Sequence, residues 1–124
     1  IRTFWRGPDG EPYSTLPRLP ATERGAPLAF AMNGGMYDGV AAPVGLYVEE
    51  GRELKGANQA NGSGNFHMKP NGVFYVAGGA VGVMETGRFL ASGIRPDFAT
   101  QSGPLLLIGG RVHPRIRADG TSRK

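Results

Sequence analysis

Two glycine pairs constrain this chain more than any other feature. Gly78-Gly79 separates GVFYV (72–76) from AVGVME (80–85), and Gly109-Gly110 separates LLLI (105–108) from RVH (111–113). Consecutive glycines supply the positive φ values that two-residue hairpin turns need, and the short apolar runs beside them read as paired strands. A third turn, Glu50-Gly51, joins VGLYVEE (44–50) to RELK (52–55). Gly 21 and Pro 10 together make a quarter of the 124 residues, a share that low-complexity chains also reach. Here the glycines alternate with apolar runs, so the composition predicts turn-rich β structure.

The remaining elements are short. IRTFWR (1–6) and LAFAMN (28–33) read as strands, and residues 14–24 as a short helix capped by Ser14 and interrupted by Pro17 and Pro20. TGRFLASG (86–93) fits a helix capped by Thr86 and stopped by Gly93, with Phe89 and Leu90 facing the core. No βαβ alternation is visible. The fold class is α+β, mainly antiparallel sheet with hairpins and a few short helices, and the length suits one domain.

Composition removes several chemistries. With no cysteine, disulfides, thiolate metal sites and a cysteine nucleophile are excluded. No apolar run approaches the roughly 18 residues of a membrane span. His67 and His113 lie far apart with no carboxylate at ligand spacing, so no metal and no cofactor is expected. Neither a P-loop nor a GxSxG elbow is present. Glu49 and Glu50 are adjacent, hence on opposite faces of a strand, and do not form a glycosidase pair. Asp38 and Asp97 are the remaining acidic candidates. Residues 1–110 are charge-balanced, and the net +4 comes from Arg111, Arg115, Arg117, Arg123 and Lys124 against Asp119. A nucleic-acid binder would spread its charge along a face, so none is expected as partner.

Four polar clusters interrupt the strands. In AMNGGMYD (31–38), Asn33 is followed by Gly34-Gly35, a turn that brings backbone N–H groups close to a ligand. In NFHMKPNG (65–72), an extended backbone would put Asn65, His67 and Lys69 on one face and Phe66 and Met68 on the other. TQSGP (100–104) sets Gln101 and Ser102 at a strand mouth, and the basic end offers the guanidinium fork of Arg123. Taken singly, each has a plainer reading: a glycine turn, a half-exposed edge strand, a Gly103-Pro104 turn, a solvated tail.

Taken together, the clusters resemble a known family. AMNGGMYD, PVGLYVEEGRELKGANQ, GNFHMKPNGVFYV, FATQSGPLLLIGGRVHP and the terminal SRK stand in the order seen in phosphodiester glycosidase domains, from about Ile1 to Lys124. This is the family of the lysosomal uncovering enzyme, and the closer likeness is to its bacterial branch. The resemblance implies a hydrolase of a sugar 1-phosphodiester of the N-acetylglucosamine type, secreted or periplasmic. It places substrate-binding positions on Asn33, Gly34, Gly35, Asn71, Gly72, Gln101, Ser102, Gly103, Pro104 and Arg123, with His67 and Lys69 from the bacterial pattern.

The family domain continues into an Arg-Asn-Gly-Val-Gly-like strand and an Asp-Gly-Gly-like motif that bears the expected carboxylate. Residues 1–124 are therefore expected to be the N-terminal part of a single domain, with no catalytic residue assigned among them. The alternative is a glycan- or phosphate-binding module without turnover. Asn33, Lys69, Asn71 and Gln101 are expected to converge on one concave face. Exposed apolar side chains and unpaired strand edges are expected too, a setting for self-association.

Overall fold

The three tight turns form as their residues require. In the computed structural model, which describes residues 1–116, φ is 51° and 74° at Glu50-Gly51, 54° and 83° at Gly78-Gly79, and 56° and 77° at Gly109-Gly110. Positive φ at both central residues matches the twist of the strands that each turn joins. The strands are β1 (Thr22–Glu23), β2 (Ala26–Pro27), β3 (Tyr47–Glu49), β4 (Arg52–Lys55), β5 (Gly72–Ala77), β6 (Ala80–Glu85), β7 (Phe98–Ser102), β8 (Leu107–Ile108) and β9 (Arg111–Val112). One helix, α1 (Thr86–Ala91), follows β6. The main sheet has the order β4-β3-β7-β5-β6 with every neighbouring pair antiparallel. The β1-β2 and β8-β9 ribbons stand apart from it. The α+β, mainly antiparallel class is therefore what the chain adopts.

Register decides which side chains meet. Val73 lies opposite Met84 and Gln101, Tyr75 opposite Ala99, and Ala99 opposite Val48. These residues share one face, and Leu46, Val48, Val73 and Ala99 on it form the buried core with Phe89 of α1. Glu85 ends β6 and caps α1, its two carboxylate oxygens accepting from Gly87 N (3.0 Å) and Arg88 N (2.8 Å). Sequence reading gives that cap to Thr86, but the Thr86 hydroxyl turns inward to the core instead.

The opposite face is covered over β3 and β7. Trp5 packs edge-on against Tyr47 at 6.0 Å between ring centroids, and its Nε1–H donates to Ala41 O at 2.8 Å. The Thr3 hydroxyl donates to Val48 O at 3.0 Å, and the Arg2 guanidinium lies over Phe98. Burial pushes the Tyr47 phenol well above its ordinary pKa, and the adjacent Glu49 carboxylate, which accepts its proton at 2.8 Å, pushes the same way.

Four sequence-predicted elements differ. Residues 1–6 pair with the rest of the chain by a single bridge, Arg6 to Pro12, and are held by side chains rather than by a ladder. The proposed helix at 14–24 shrinks to a 3-10 turn at Leu16–Arg18, because Pro17 and Pro20 deny it continuous N–H donors. LAFAMN forms no strand: with no partner beside it, Phe30 (77%) and Met32 (68%) stand in solvent. LLLI pairs only through Leu107–Ile108. No helix among the described residues is long and apolar enough to cross a membrane.

Candidate functional site

The site is built around one buried amide. Gln101 lies in β7 two residues after the fully buried Ala99, so it shares the core face and is 1% exposed. Its Oε1 accepts from Leu46 N and Asn58 N, both at 2.9 Å, and its Nε2 donates to Asn58 O at 2.8 Å and to the Thr86 hydroxyl at 3.3 Å. One side chain thus joins the entry to β3, the loop after β4 and the start of α1. Gly45 leaves room for it, since a Cβ there would meet Gln101 Oε1 at 2.3 Å and the Phe66 ring at 2.7 Å.

The loop 57–71 is held beside this amide by further buried polar contacts. Asn71, 1% exposed, donates from Nδ2 to Phe66 O at 3.2 Å. Gly103 lets the two strands of loop meet, because a Cβ there would lie 2.6 Å from Phe66 O and 2.9 Å from Asn71 Cβ. His113, buried like Asn71, locks the same loop. Its Nδ1 accepts from Arg115 N (3.1 Å), so its Nε2 carries the proton and donates to Lys69 O (3.0 Å).

In front of this scaffold opens a shallow cleft of about 550 Å³, lined by Gly35, Met36, Tyr37, Val44, Ser63, Gly64, Asn65, Phe66 and His67. One wall is the 34–44 loop. The Thr100 hydroxyl donates to Gly34 O at 3.0 Å, and a Cβ on Gly35 would meet Thr100 Cβ at 3.1 Å, so the glycines lie flat on β7. The loop closes on itself through Val44 N to Met36 O (3.0 Å) and Asp38 N to Ala42 O (2.9 Å). Asp38 Oδ1 accepts from Val40 N (3.0 Å) and Ala42 N (2.9 Å), which holds its carboxyl below the ordinary aspartate pKa. The other wall carries His67. Its Nδ1 bonds to Ala60 O (3.0 Å). A carbonyl only accepts, so Nδ1 holds the proton of the neutral ring and Nε2 keeps the lone pair.

The structure therefore sorts the sequence candidates. Gly35 and His67 line the cleft, and Gly34 sits beside it. Gln101 and Asn71 lie behind it with side-chain groups bonded to the backbone. Ser102 is opposite Gly72 on the sheet face away from Gln101. Lys69 reaches across to Gln59 O at 3.1 Å, and Asn33 is exposed two residues before Gly35. Arg123 lies outside the described residues. Asp97 is at the far end of β7, accepting from Gly78 N at 3.0 Å, away from the cleft. One premise needs correction: 65–69 is not extended. Asn65–His67 is a 3-10 turn that buries Phe66 between Gly45 and Gly103. Tyr37 and Ser63 also line the cleft, and neither carries a signal at a predicted strand end.

Residues 26–124 match the family model described as phosphodiester glycosidase, a match that starts later than the Ile1 of the sequence resemblance. The chain is 42% identical, over its whole length, to "Uncharacterized protein YigE" of Escherichia coli (strain K12). It spans about half the length of that curated relative (49%). No solved structure matches it. With the family match covering most of its residues, the chain belongs to the phosphodiester glycosidase family.

Proposed function

We propose that the protein hydrolyses the glycosidic bond of a sugar 1-phosphodiester, with N-acetylglucosamine as the sugar, and that this chain supplies one wall of the active site. Family membership carries the reading. The cleft supports it: its described lining residues bear phenol, hydroxyl, amide and imidazole groups, a set suited to sugar hydroxyls and phosphate oxygens. The leaving group of such a diester is a phosphate monoester, which departs as an anion with little general-acid help. What the reaction needs is donors at the phosphate and negative charge at the anomeric carbon. Gly34, Gly35, Lys69 and, beyond the described residues, Arg123 serve the first need, and His67 offers its Nε2 lone pair to a sugar hydroxyl. The carboxylate for the second comes from polypeptide outside residues 1–124. Asn33 and Ser102 complete the substrate contacts, and Asn71 and Gln101 hold the walls in place. The same reading places the protein outside the cytoplasm, secreted or periplasmic.

That no carboxylate is among the described residues lining the cleft also favours a second reading, a glycan- or phosphate-binding module. One experiment separates them. The full-length protein is incubated with an N-acetylglucosamine 1-phosphodiester, and free sugar and phosphate monoester are measured beside equilibrium binding. Turnover that falls on His67→Ala supports the hydrolase. Binding at the cleft without turnover supports the module. Neither turnover nor binding overturns both.

A further inference from the structure

We propose that β6 is an interior strand in the full-length protein, its outer edge paired with a sixth strand from the same polypeptide outside residues 1–124. The two edges of the five-stranded sheet are built differently. β4 is short, exposed throughout and charged at Arg52, Glu53 and Lys55, and its register against β3 shifts between Tyr47 and Val48. Short, charged, irregular edges resist further pairing. β6 has none of these devices. Its six residues, AVGVME, run in unbroken register against β5, with no proline and no charge before Glu85.

The face beside that edge is also unfinished. Val81 and Val83 share the side of the sheet that carries Phe74, Phe98 and Thr100. Cover from residues 2–5 and from Gly34-Gly35 reaches Tyr47, Phe98 and Thr100 on β3 and β7. Farther along, Val81 is 54% and Val83 65% exposed. Two β-branched residues on a smooth, uncharged edge present apolar surface and, among the described residues, backbone groups with no neighbouring strand, the features of a strand awaiting one.

Length identifies the neighbour. A relative 42% identical across this whole chain is about twice as long, and a protein of that length carries roughly as much polypeptide again within its own reach. Tethered polypeptide meets the edge at a far higher effective concentration than a second molecule does.

The test is amide exchange on the full-length protein, resolved to single residues, with sedimentation over a range of concentrations. Val81 through Met84 are expected to exchange slowly without alternation, at least ~10-fold slower than the outward amides of β4. Val83→Lys, on the same protein, is expected to lower the thermal midpoint by about 4 °C or more. An alternating fast and slow pattern along β6, or a Val83→Lys protein as stable as the parent, overturns the proposal. Protection that appears only with dimerisation overturns the assigned occupant in favour of a second copy. If Val83→Lys fails to fold, exchange in the unaltered protein decides.

Discussion

Gln101 shows how much one side chain determines here. Replacing it with methionine keeps the volume but leaves Leu46 N–H, Asn58 N–H and Asn58 C=O without their partners. Each buried unpaired group costs about 1–3 kcal/mol, so Gln101→Met is expected to destabilise by at least ~3 kcal/mol in urea unfolding. Asp38 offers a second residue-level check. Its folded pKa is depressed by the Val40 and Ala42 amides, so its contribution to the loop is present above the ordinary aspartate pKa and lost as pH falls through the lower, folded value. The amide resonances of Val40 and Ala42 should therefore titrate with a midpoint below that of an unstructured aspartate; a midpoint at or above it would show that the turn is absent. The sequence marks Gln101 and Asn71 as polar residues at strand ends, which they are. It does not show which way they face. In FATQS the bulky Phe98 suggests an inward face of Phe98 and Thr100, yet the register against Val73 puts Ala99 and Gln101 inward.

Among the elements, legibility follows locality. RELK and AVGVME form with the bounds the sequence predicts, because turn chemistry and strand composition lie within a dozen residues. LAFAMN is as apolar but lacks a partner, and a strand exists only by pairing. The 3-10 turn at Asn65–His67 escapes the alternation argument for a different reason: Gly45 and Gly103, distant in sequence, open the space into which Phe66 folds. The helix α1 gives the element-scale prediction. Its six residues are too few to be stable alone, and its N-terminal amides rely on the Glu85 carboxylate. Glu85→Ala is expected to cost about 1 kcal/mol and to speed exchange of the Gly87 and Arg88 amides, while Glu85→Gln retains part of the cap. Unchanged exchange at both amides in Glu85→Ala would assign the capping elsewhere.

At the scale of the whole molecule, the proposed function and stability are expected to separate. His67 lies on the cleft wall and is only partly buried, whereas Gln101 and His113 lie within the scaffold. In the full-length protein His67→Ala is expected to lower kcat/KM on the proposed sugar phosphodiester by ~10²-fold, the lower reach of a positioned proton acceptor, with the thermal midpoint little changed. A midpoint that falls in step with activity would return His67 to the scaffold. The 124-residue chain alone is expected to be inert in the same assay, and turnover near the full-length rate would place all catalytic groups within it.

The Gln101 clamp has a consequence in time as well as in energy. Its partners at Leu46, Asn58 and Thr86 are 55, 43 and 15 positions away along the chain. All three segments must already be docked before a single amide can reach them, and closing such long loops comes late unless strong contacts reward it. The clamp is therefore expected to be absent from the rate-limiting barrier. Gln101→Met should leave the refolding rate nearly untouched and appear almost wholly as faster unfolding, a φ-value near zero in stopped-flow chevrons. A molecule built this way gathers its sheet first and fastens it last, so the lifetime of the folded state, rather than the speed of reaching it, rests on one glutamine.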